Sequence, residues 1–430
     1  MHFLYTFAIV LLALVLSPWF AYQAIRYRKY IGSLRQRMGL LPLTFNLDQE
    51  PSIWIHAVSV GETRAAVPVI RALRAGYPQH QILLTHTTPT GRQTSSELFG
   101  DDVARAYLPF DLPFAVERFL AHFKPVQGII LETELWPNLI HCAHARSIPL
   151  ALVNARMSAR SAARYAKFPS LTRSTLAALQ YVAAQTEDDA RRLRELGAAD
   201  VSVAGNVKFD MQAPPQSAAI AALLDPRQAY TSGILLLAST RDKEEELILE
   251  TVHGTLASDA LIILVPRHPQ RFDEVATLLT QRGIAFQRRS ANEPVRASTR
   301  VLLGDSMGEM FAYYAACDVA FIGGSLLPLG GQNLLEACAM GKPAIVGPHT
   351  FNFEEATRLA IEAGAALRVN GAAEFAAAAA RLLGDAAQRE KMGAAGRDFV
   401  RAHQGATARI MRAVERLLPP DVQGDRNEGR

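Results

Sequence analysis

Cysteine is scarce in this chain of 430 residues: Cys142, Cys317 and Cys338 are scattered and odd in number. They define no disulfide framework and suit a reducing compartment. Aromatic residues are few, at 8%, and are not interleaved with basic ones as on a nucleic-acid surface. A Walker lysine loop and a Gly-x-Ser-x-Gly elbow are both missing, so neither a P-loop NTPase nor an α/β-hydrolase is indicated. His141 and His144 flank Cys142 at helical spacing, but no third ligand is evident, and they read as structural. Repeats of solenoid period are absent. So is charge at one place: Phe3 to Ile25 holds no Asp, Glu, Lys or Arg.

That apolar run is followed by Arg26, Arg28, Lys29, Arg35 and Arg37. The positive-inside rule then places the main body in the cytoplasm. No basic segment precedes the run and no small-residue cleavage site closes it, which argues for a retained anchor over a cleaved signal. Pro18 beside Trp19, Phe20 and Tyr22 resembles an interfacial belt. The apolar core is thereby left somewhat short of the roughly 20 residues that cross a bilayer. The sequence favours a single span, with a helix lying in the interface as the alternative. A net charge of +4 and a pI of about 9.0 fit an anionic membrane surface or a phosphorylated substrate.

Hydrophobic residues make up 49% of the chain and charged ones 20%, so it is globular, and its length points to two domains. Short apolar strands alternate with amphipathic helices. Strands are expected at 53–58, 81–85, 126–131, 150–154, 181–184 and 201–204. After the linker Ala213-Pro214-Pro215-Gln216-Ser217 the pattern restarts, at 234–237, 261–265, 301–303, 319–322 and 344–346. Continuous apolar strands between helices predict parallel sheets covered on both faces. The expected division is an anchor (1–30), one α/β domain (31–212), a second (213–420) and a polar tail (421–430). Ligands of such sheets bind beyond the carboxyl ends of the strands. Two sheets facing each other would set those loops across one cleft.

The stretch from Gly323 to Glu336 is the most informative. Gly323-Gly324 ends a buried strand, and Gly330-Gly331 leads into a helix that carries Glu336. Glycines admit a ligand close to the backbone, and the helix N-terminus offers N–H groups to an anion. Glu336 can accept bonds from both hydroxyls of a ribose. The ensemble suggests a nucleotide or nucleotide-sugar site.

Other groups sit at strand ends. Glu62 follows Gly61 at a strand-to-helix turn, where a carboxylate can take a proton from a hydroxyl or simply complement the helix dipole. Glu132 and Glu134 close a strand, as a pair that can divide acid and base roles or as a cap and a solvated group. Lys208 follows the last strand of the first half. It can hold an anion or lie on the surface. Arg267, between Pro266 and Pro269, is aimed by a stiff loop and suits phosphate. In Asp305-Ser306-Met307-Gly308-Glu309, Ser306 is expected to cap a helix and Gly308 to keep its first turn open. Arg156, Arg160, Arg164 and Lys167 would form a basic stripe if helical.

Taken in order, several segments resemble the bacterial transferases that attach 3-deoxy-D-manno-octulosonic acid (Kdo) to the lipid A precursor. They are Ser59-Val60-Gly61-Glu62-Thr63, Glu132-Thr133-Glu134-Leu135-Trp136-Pro137-Asn138, Asn154-Ala155-Arg156-Met157-Ser158 and Lys208-Phe209-Asp210. In the second half they are Val265-Pro266-Arg267-His268-Pro269, Gly308-Glu309, Phe321-Ile322-Gly323-Gly324-Ser325 and Gly347-Pro348-His349-Thr350-Phe351-Asn352-Phe353. The likeness spans nearly the whole chain, anchor included. It implies a GT-B fold, α/β with two Rossmann-like domains facing across a cleft, the acceptor half first. It also implies CMP-Kdo as donor, the lipid A precursor (lipid IVA) as acceptor, an inverting displacement, no metal and no other cofactor, and a place at the cytoplasmic face of the inner membrane.

Carried onto this chain, the resemblance makes Glu62 the general base and gives Glu132 and Lys208 to the transition state. Pro266, Arg267, Met307, Gly308, Glu309, Asn333, Leu334, Leu335 and Glu336 would hold CMP. Three residues, in two places, depart from the family pattern. A Ser-Thr-His loop with Gly-Glu-Glu reads here Ser239-Thr240-Arg241-Asp242-Lys243-Glu244-Glu245, and the usual histidine before Asn333 is Gln332. Two other classes stay open: a GT-B-like epimerase or hydrolase of a nucleotide sugar, and a membrane-bound, non-catalytic binder of one.

Overall fold

The computed structural model describes residues 2–27, 31–41, 52–224, 229–252 and 254–418. Arg28, Lys29, Pro419, Pro420 and the tail 421–430 lie outside them. The chain divides into two compact units, Met1–Asp210 with Gln404–Arg430, and Met211–His403.

Among the described residues, the first unit holds one sheet of seven parallel strands. They are β1 (Ser52–His56), β2 (Gln81–His86), β3 (Ala104–Tyr107), β4 (Pro125–Leu131), β5 (Leu150–Ala155), β6 (Tyr181–Ala184) and β7 (Val201–Val203), in the order β3-β2-β1-β4-β5-β6-β7. β1 is buried along its whole length and pairs on one side with β2, Ile53 opposite Ile82, and on the other with β4, Ile55 opposite Ile129. The intervening helices supply the covers. In helix Val60–Gly76 the residues Ala65, Ala66, Val69, Ile70 and Leu73 fall on one face and are buried. That is the 3.6-residue period of an amphipathic helix laid on a sheet.

The second unit repeats the scheme with β8 (Ile234–Thr240), β9 (Leu261–Pro266), β10 (Phe286–Arg288), β11 (Val301–Leu303), β12 (Val319–Ile322), β13 (Ala344–Val346) and β14 (Ala366–Arg368). Their order is β10-β11-β9-β8-β12-β13-β14, and all pair in parallel. In both sheets the order reverses beside the first strand, between β1 and β4 and between β8 and β12. Such a reversal opens a crevice at the carboxyl ends of the two strands, where ligands of open α/β sheets bind.

The expected boundary needs correction at its far end. The second unit stops at His403, and helix Ala406–Leu417 belongs to the first. Ile410, Met411, Ala413 and Val414 of that helix are buried with Val69, Ile70 and Leu73 in one apolar cluster. Polar ties hold it as well. Asp210 Oδ1 accepts from Gly405 N at 2.6 Å, and Oδ2 accepts from Thr407 N. Arg409 Nε donates to Ala204 O at 2.7 Å. Gln127 Nε2 donates to Val414 O at 3.0 Å. Asp210 thus caps a helix that lies far along the chain.

The amino-terminal helix runs His2–Tyr27 with Pro18 inside it. Tyr5 Oη donates to Asp111 Oδ2 at 2.8 Å and Thr6 Oγ1 to Asn138 Oδ1 at 3.0 Å. Phe3, Leu4, Phe7, Leu11, Leu12, Leu14 and Val15 are exposed. Among the described residues, no helix is long and apolar enough to cross a membrane, so the single span expected above finds no support. Thr6, Ser17, Pro18 and Gln23 dilute the charge-free run.

Replacing Asp210 by alanine removes a carboxylate from two backbone amides at a helix start. A loss of about 2 kcal/mol is expected in urea unfolding, at the upper end for a cap. Faster proteolysis after His403 should accompany it.

Candidate active site

Glu62 stands at the reversal point of the first sheet. β1 ends at His56, and Ser59 caps the next helix, its Oγ accepting from Glu62 N at 3.4 Å. Glu62 is the third residue of that helix, so Ser59-Val60-Gly61-Glu62 has the spacing of a capping box. Its carboxylate turns back accordingly. Oε1 accepts from Ser59 Oγ at 2.9 Å and Oε2 from Val58 N at 2.7 Å. The neighbouring loop fixes this turn, since Thr88 Oγ1 donates to Val58 O at 3.0 Å. The helix-complementing role is therefore real, but it uses one bond per oxygen. A carboxylate has about four acceptor positions, so acceptor capacity remains. Glu62 is 9% exposed. Burial pushes its carboxyl up to about 7, against the Val58 N–H bond that lowers it, and the charges of Glu132 and Glu134 add to the rise.

Glu132 lies across the reversal point, after β4. Its φ of 57° is left-handed, so the strand has ended at Leu131 and the chain is turning. Glu132 N still donates to Val153 O at 2.9 Å, which ties the turn to β5. Lys208 Nζ lies 3.5 Å from Glu132 Oε1. Lys208 sits on a 3-10 turn, Val207–Asp210, which Asn154 holds by accepting from Val207 N at 3.2 Å. The three residues assigned to catalysis thus belong to one network, with Lys208 paired to Glu132 and Glu132 acting on Glu62. Glu134 instead accepts from Trp136 Nε1 at 3.1 Å, and burial raises its carboxyl. The basic stripe is shorter than expected. Ser158 starts helix Ala159–Tyr165, so Arg156 precedes it, Lys167 follows it, and Arg160 and Arg164 alone share it.

In the second unit the residues assigned to CMP lie at the end of β9, after β11 and at the start of helix Leu335–Ala339. Pro266 closes β9, and Arg267 N donates to Thr240 O at 2.9 Å at the end of β8. Arg267 Nε donates to Gln332 Oε1 at 3.1 Å. Met307 is exposed, and Gly308 has a φ of 79°, a conformation that other residues adopt only under strain. Glu309 pairs with Arg289 at 3.1 Å and accepts from Ser306 Oγ at 2.5 Å. Ser306 is therefore no helix cap. The helix starts at Met310, and the hydroxyl is used on Glu309 and, at 2.7 Å, Tyr313 Oη. Asn333 Oδ1 accepts from Leu335 N at 3.1 Å, and its Nδ2 donates to Glu336 Oε1 at 3.4 Å. Leu334 and Leu335 are buried beneath.

The glycine-rich stretch differs from its expected role. Glu244, wholly buried, accepts from Gly324 N at 2.6 Å, Ser325 N at 3.1 Å, Leu326 N at 3.1 Å and Arg241 N at 3.2 Å. The amides that might have met a ligand anion are satisfied by the protein's own carboxylate. The helix after Gly331 is only Leu335–Ala339, and its first amide is taken by Asn333. Gly323 serves close approach: a Cβ there would lie 2.4 Å from Ser239 O. Sequence reasoning missed Glu244 and the Gln332 bond to Arg267. The available signal was a Glu-Glu pair opening a helix, three residues separating it from a buried strand.

Glu62→Gln separates charge from shape. The Glu62 carboxyl stands higher in the folded protein than in the unfolded one, so its contribution is complete below about pH 4.5 and is lost as pH rises through about 7. Relative to Glu62→Gln, the parent protein should lose stability between these values, with a plateau above, in urea titrations across that range. Glu244→Ala leaves four backbone amides without their acceptor, three of them in the buried Gly324–Leu326 turn, and a loss on the order of 3 kcal/mol is expected.

The family model described as 3-deoxy-D-manno-octulosonic-acid transferase (kdotransferase) matches residues 32–211, and that of group 1 glycosyl transferases matches 285–399. The 3-deoxy-D-manno-octulosonic acid transferase of Bordetella pertussis is 46% identical over 383 residues, covering 85% of this chain and 87% of that protein. The Haemophilus influenzae protein of the same name is 37% identical over 426 residues, covering 98% and 100%. Among solved structures, a glycosyltransferase from Rickettsia africae ESF-5 aligns over 86% of this chain and 99% of its own, with a TM-score of 0.54 and 13% identity. That likeness bears on fold alone and agrees with two parallel-sheet α/β units of GT-B type. The extent and identity of the sequence matches establish that this chain belongs to the 3-deoxy-D-manno-octulosonic acid transferase family, a family of glycosyltransferases.

Proposed function

We propose that this protein transfers Kdo from CMP-Kdo to a hydroxyl of the lipid A precursor, with inversion and with Glu62 as general base. One observation carries the mechanism: Glu62 is a buried carboxylate at a sheet reversal point, poised near pH 7, with acceptor capacity left at both oxygens. A base of that strength is half ionised at neutral pH and strong enough to draw a proton as the acceptor oxygen attacks. The bond from the anomeric carbon to the phosphate oxygen breaks as the new carbon–oxygen bond forms. Its electron pair leaves on CMP, and the hydroxyl proton ends on Glu62. CMP departs as an anion and needs no acid if cations balance its phosphate, the role given to Arg267. Lys208, paired with Glu132, offers a second positive charge on the acceptor unit. Pro266, the Met307-Gly308-Glu309 turn and Asn333 to Glu336 would bind the nucleotide, with Glu336 suited to the ribose hydroxyls.

The acceptor is a lipid, and the helix His2–Tyr27 offers a means of reaching it. Its exposed face, Phe3, Leu4, Phe7, Leu11, Leu12, Leu14 and Val15, suits burial in a membrane interface at the cytoplasmic side. Confinement to the surface that holds the acceptor raises its effective concentration.

The transfer is tested with CMP-Kdo and the tetraacylated lipid A precursor, following CMP release and lipid mass. Mass rising by whole Kdo units supports the proposal, and CMP release without lipid product would replace it with hydrolysis. Glu62→Gln should lower kcat at least a hundredfold and leave CMP affinity within twofold. The acid limb of kcat/KM should fall near pH 7 and move to lower pH in Glu132→Gln, since the Glu132 charge helps raise Glu62. For the helix, Leu11→Asp with Leu14→Asp should reduce co-sedimentation with anionic vesicles several-fold; unchanged binding would remove it as the contact.

A further inference from the structure

The second sheet has its own reversal point, between β8 and β12, and Arg241 occupies the loop after β8. Its backbone is anchored, with Arg241 N donating to Glu244 Oε2 at 3.2 Å. Its side chain leans over the glycine turn that ends β12. A Cβ placed on Gly324 would lie 3.3 Å from Arg241 Cγ and 3.4 Å from Gln332 Nε2. Gln332 is the residue that holds Arg267. Arg241, Gln332 and Arg267 therefore line one wall of the unit, and the two arginines spring from neighbouring backbone, Thr240 facing Pro266 in the β8–β9 register.

Nearby cations are treated differently. Arg271 is neutralised by Glu245 at 2.6 Å and Glu274 at 2.9 Å. Arg267 has Gln332. Among the described residues, no carboxylate or other acceptor meets the Arg241 guanidinium, although the residue is half-buried. A half-buried arginine with no side-chain partner among the described residues is poised for an anion from outside. The local field is positive. Partial burial lowers the His268 imidazole, and Arg241, Arg267 and Arg271 lower it further.

We infer that Arg241 binds the carboxylate of the donor sugar, beside the phosphate taken by Arg267. This rests on CMP-Kdo being the donor. Kdo is a 2-ulosonic acid, so its carboxylate and the phosphate oxygen are borne by the same carbon. Two anions so close call for two cations from adjacent strand ends, as β8 and β9 supply. A carboxylate receives a planar guanidinium through paired bonds, which also fixes the orientation of the reacting carbon. Arg241 is thus a determinant for acidic sugars over neutral ones.

The test titrates the full-length protein, without acceptor and in the cold, with CMP and with CMP-Kdo. Parent, Arg241→Ala and Arg241→Lys are compared. Near pH 7.5 both ligands carry about two negative charges, so long-range attraction largely cancels in the ratio of their Kd values. Arg241→Ala should raise the Kd for CMP-Kdo about tenfold and change that for CMP less than twofold, and Arg241→Lys should fall between. An equal rise for both ligands, or none for either, would overturn the assignment. Thermal melting should be unchanged, because the side chain holds nothing in the fold. The two readings fail separately. A parent protein that binds CMP-Kdo but never extends the lipid defeats transfer and leaves the Kd ratio measurable. One that binds neither ligand defeats both.

Discussion

Each sheet depends on a buried glutamate placed where the chain leaves its first strand and enters the next helix. Glu62 follows β1 and Glu244 follows β8, and both strands border a reversal point. Both side chains turn back onto backbone amides, which keeps the loop tight and the crevice shaped. They differ in how fully they are used. Each Glu244 oxygen accepts two amide N–H groups, and the acceptor capacity of the side chain is filled. Glu62 accepts one bond at each oxygen. The same device is a structural anchor in one unit and retains room for a proton in the other.

The central strands were legible because burial on both faces leaves an uninterrupted apolar run, as in Leu-Ile-Ile-Leu-Val of β9. The strands that escaped the reading are β3, β10 and β14, and all three are edges. Edge strands are covered less, and Phe286–Arg288 is only half-buried at every residue, so its pattern resembles a loop. The returning helix Ala406–Leu417 was misassigned for another reason. Its amphipathic stripe shows that it packs on something, and only Asp210 and the cluster around Val69 show where.

At the candidate sites, positions at strand ends were readable and partners were not. Gly61-Glu62 announces a carboxylate after a strand, and the distance from Lys208 to Glu132 joins residues far apart in sequence. The glycine pair Gly323-Gly324 looked like an anion cradle because the local sequence shows only donors. Its acceptor, Glu244, is 80 positions away. Arg241 stands where the family pattern has a histidine, and among the described residues no acceptor meets its side chain.

The capping bonds of Glu62 bear directly on the second duty proposed for it. A carboxylate bonded as fully as Glu244 could take a proton only by giving up an amide, which costs more than the transfer returns. One buried with no donors would stay protonated at neutral pH and could not act as a base. Ser59 and Val58 hold the Glu62 carboxyl down while burial, Glu132 and Glu134 hold it up, and the balance falls near 7. In the proposed mechanism the capping box would thus serve catalysis as well as the fold. It aims the carboxylate, and its hydrogen bonds keep a buried acid ionisable near pH 7.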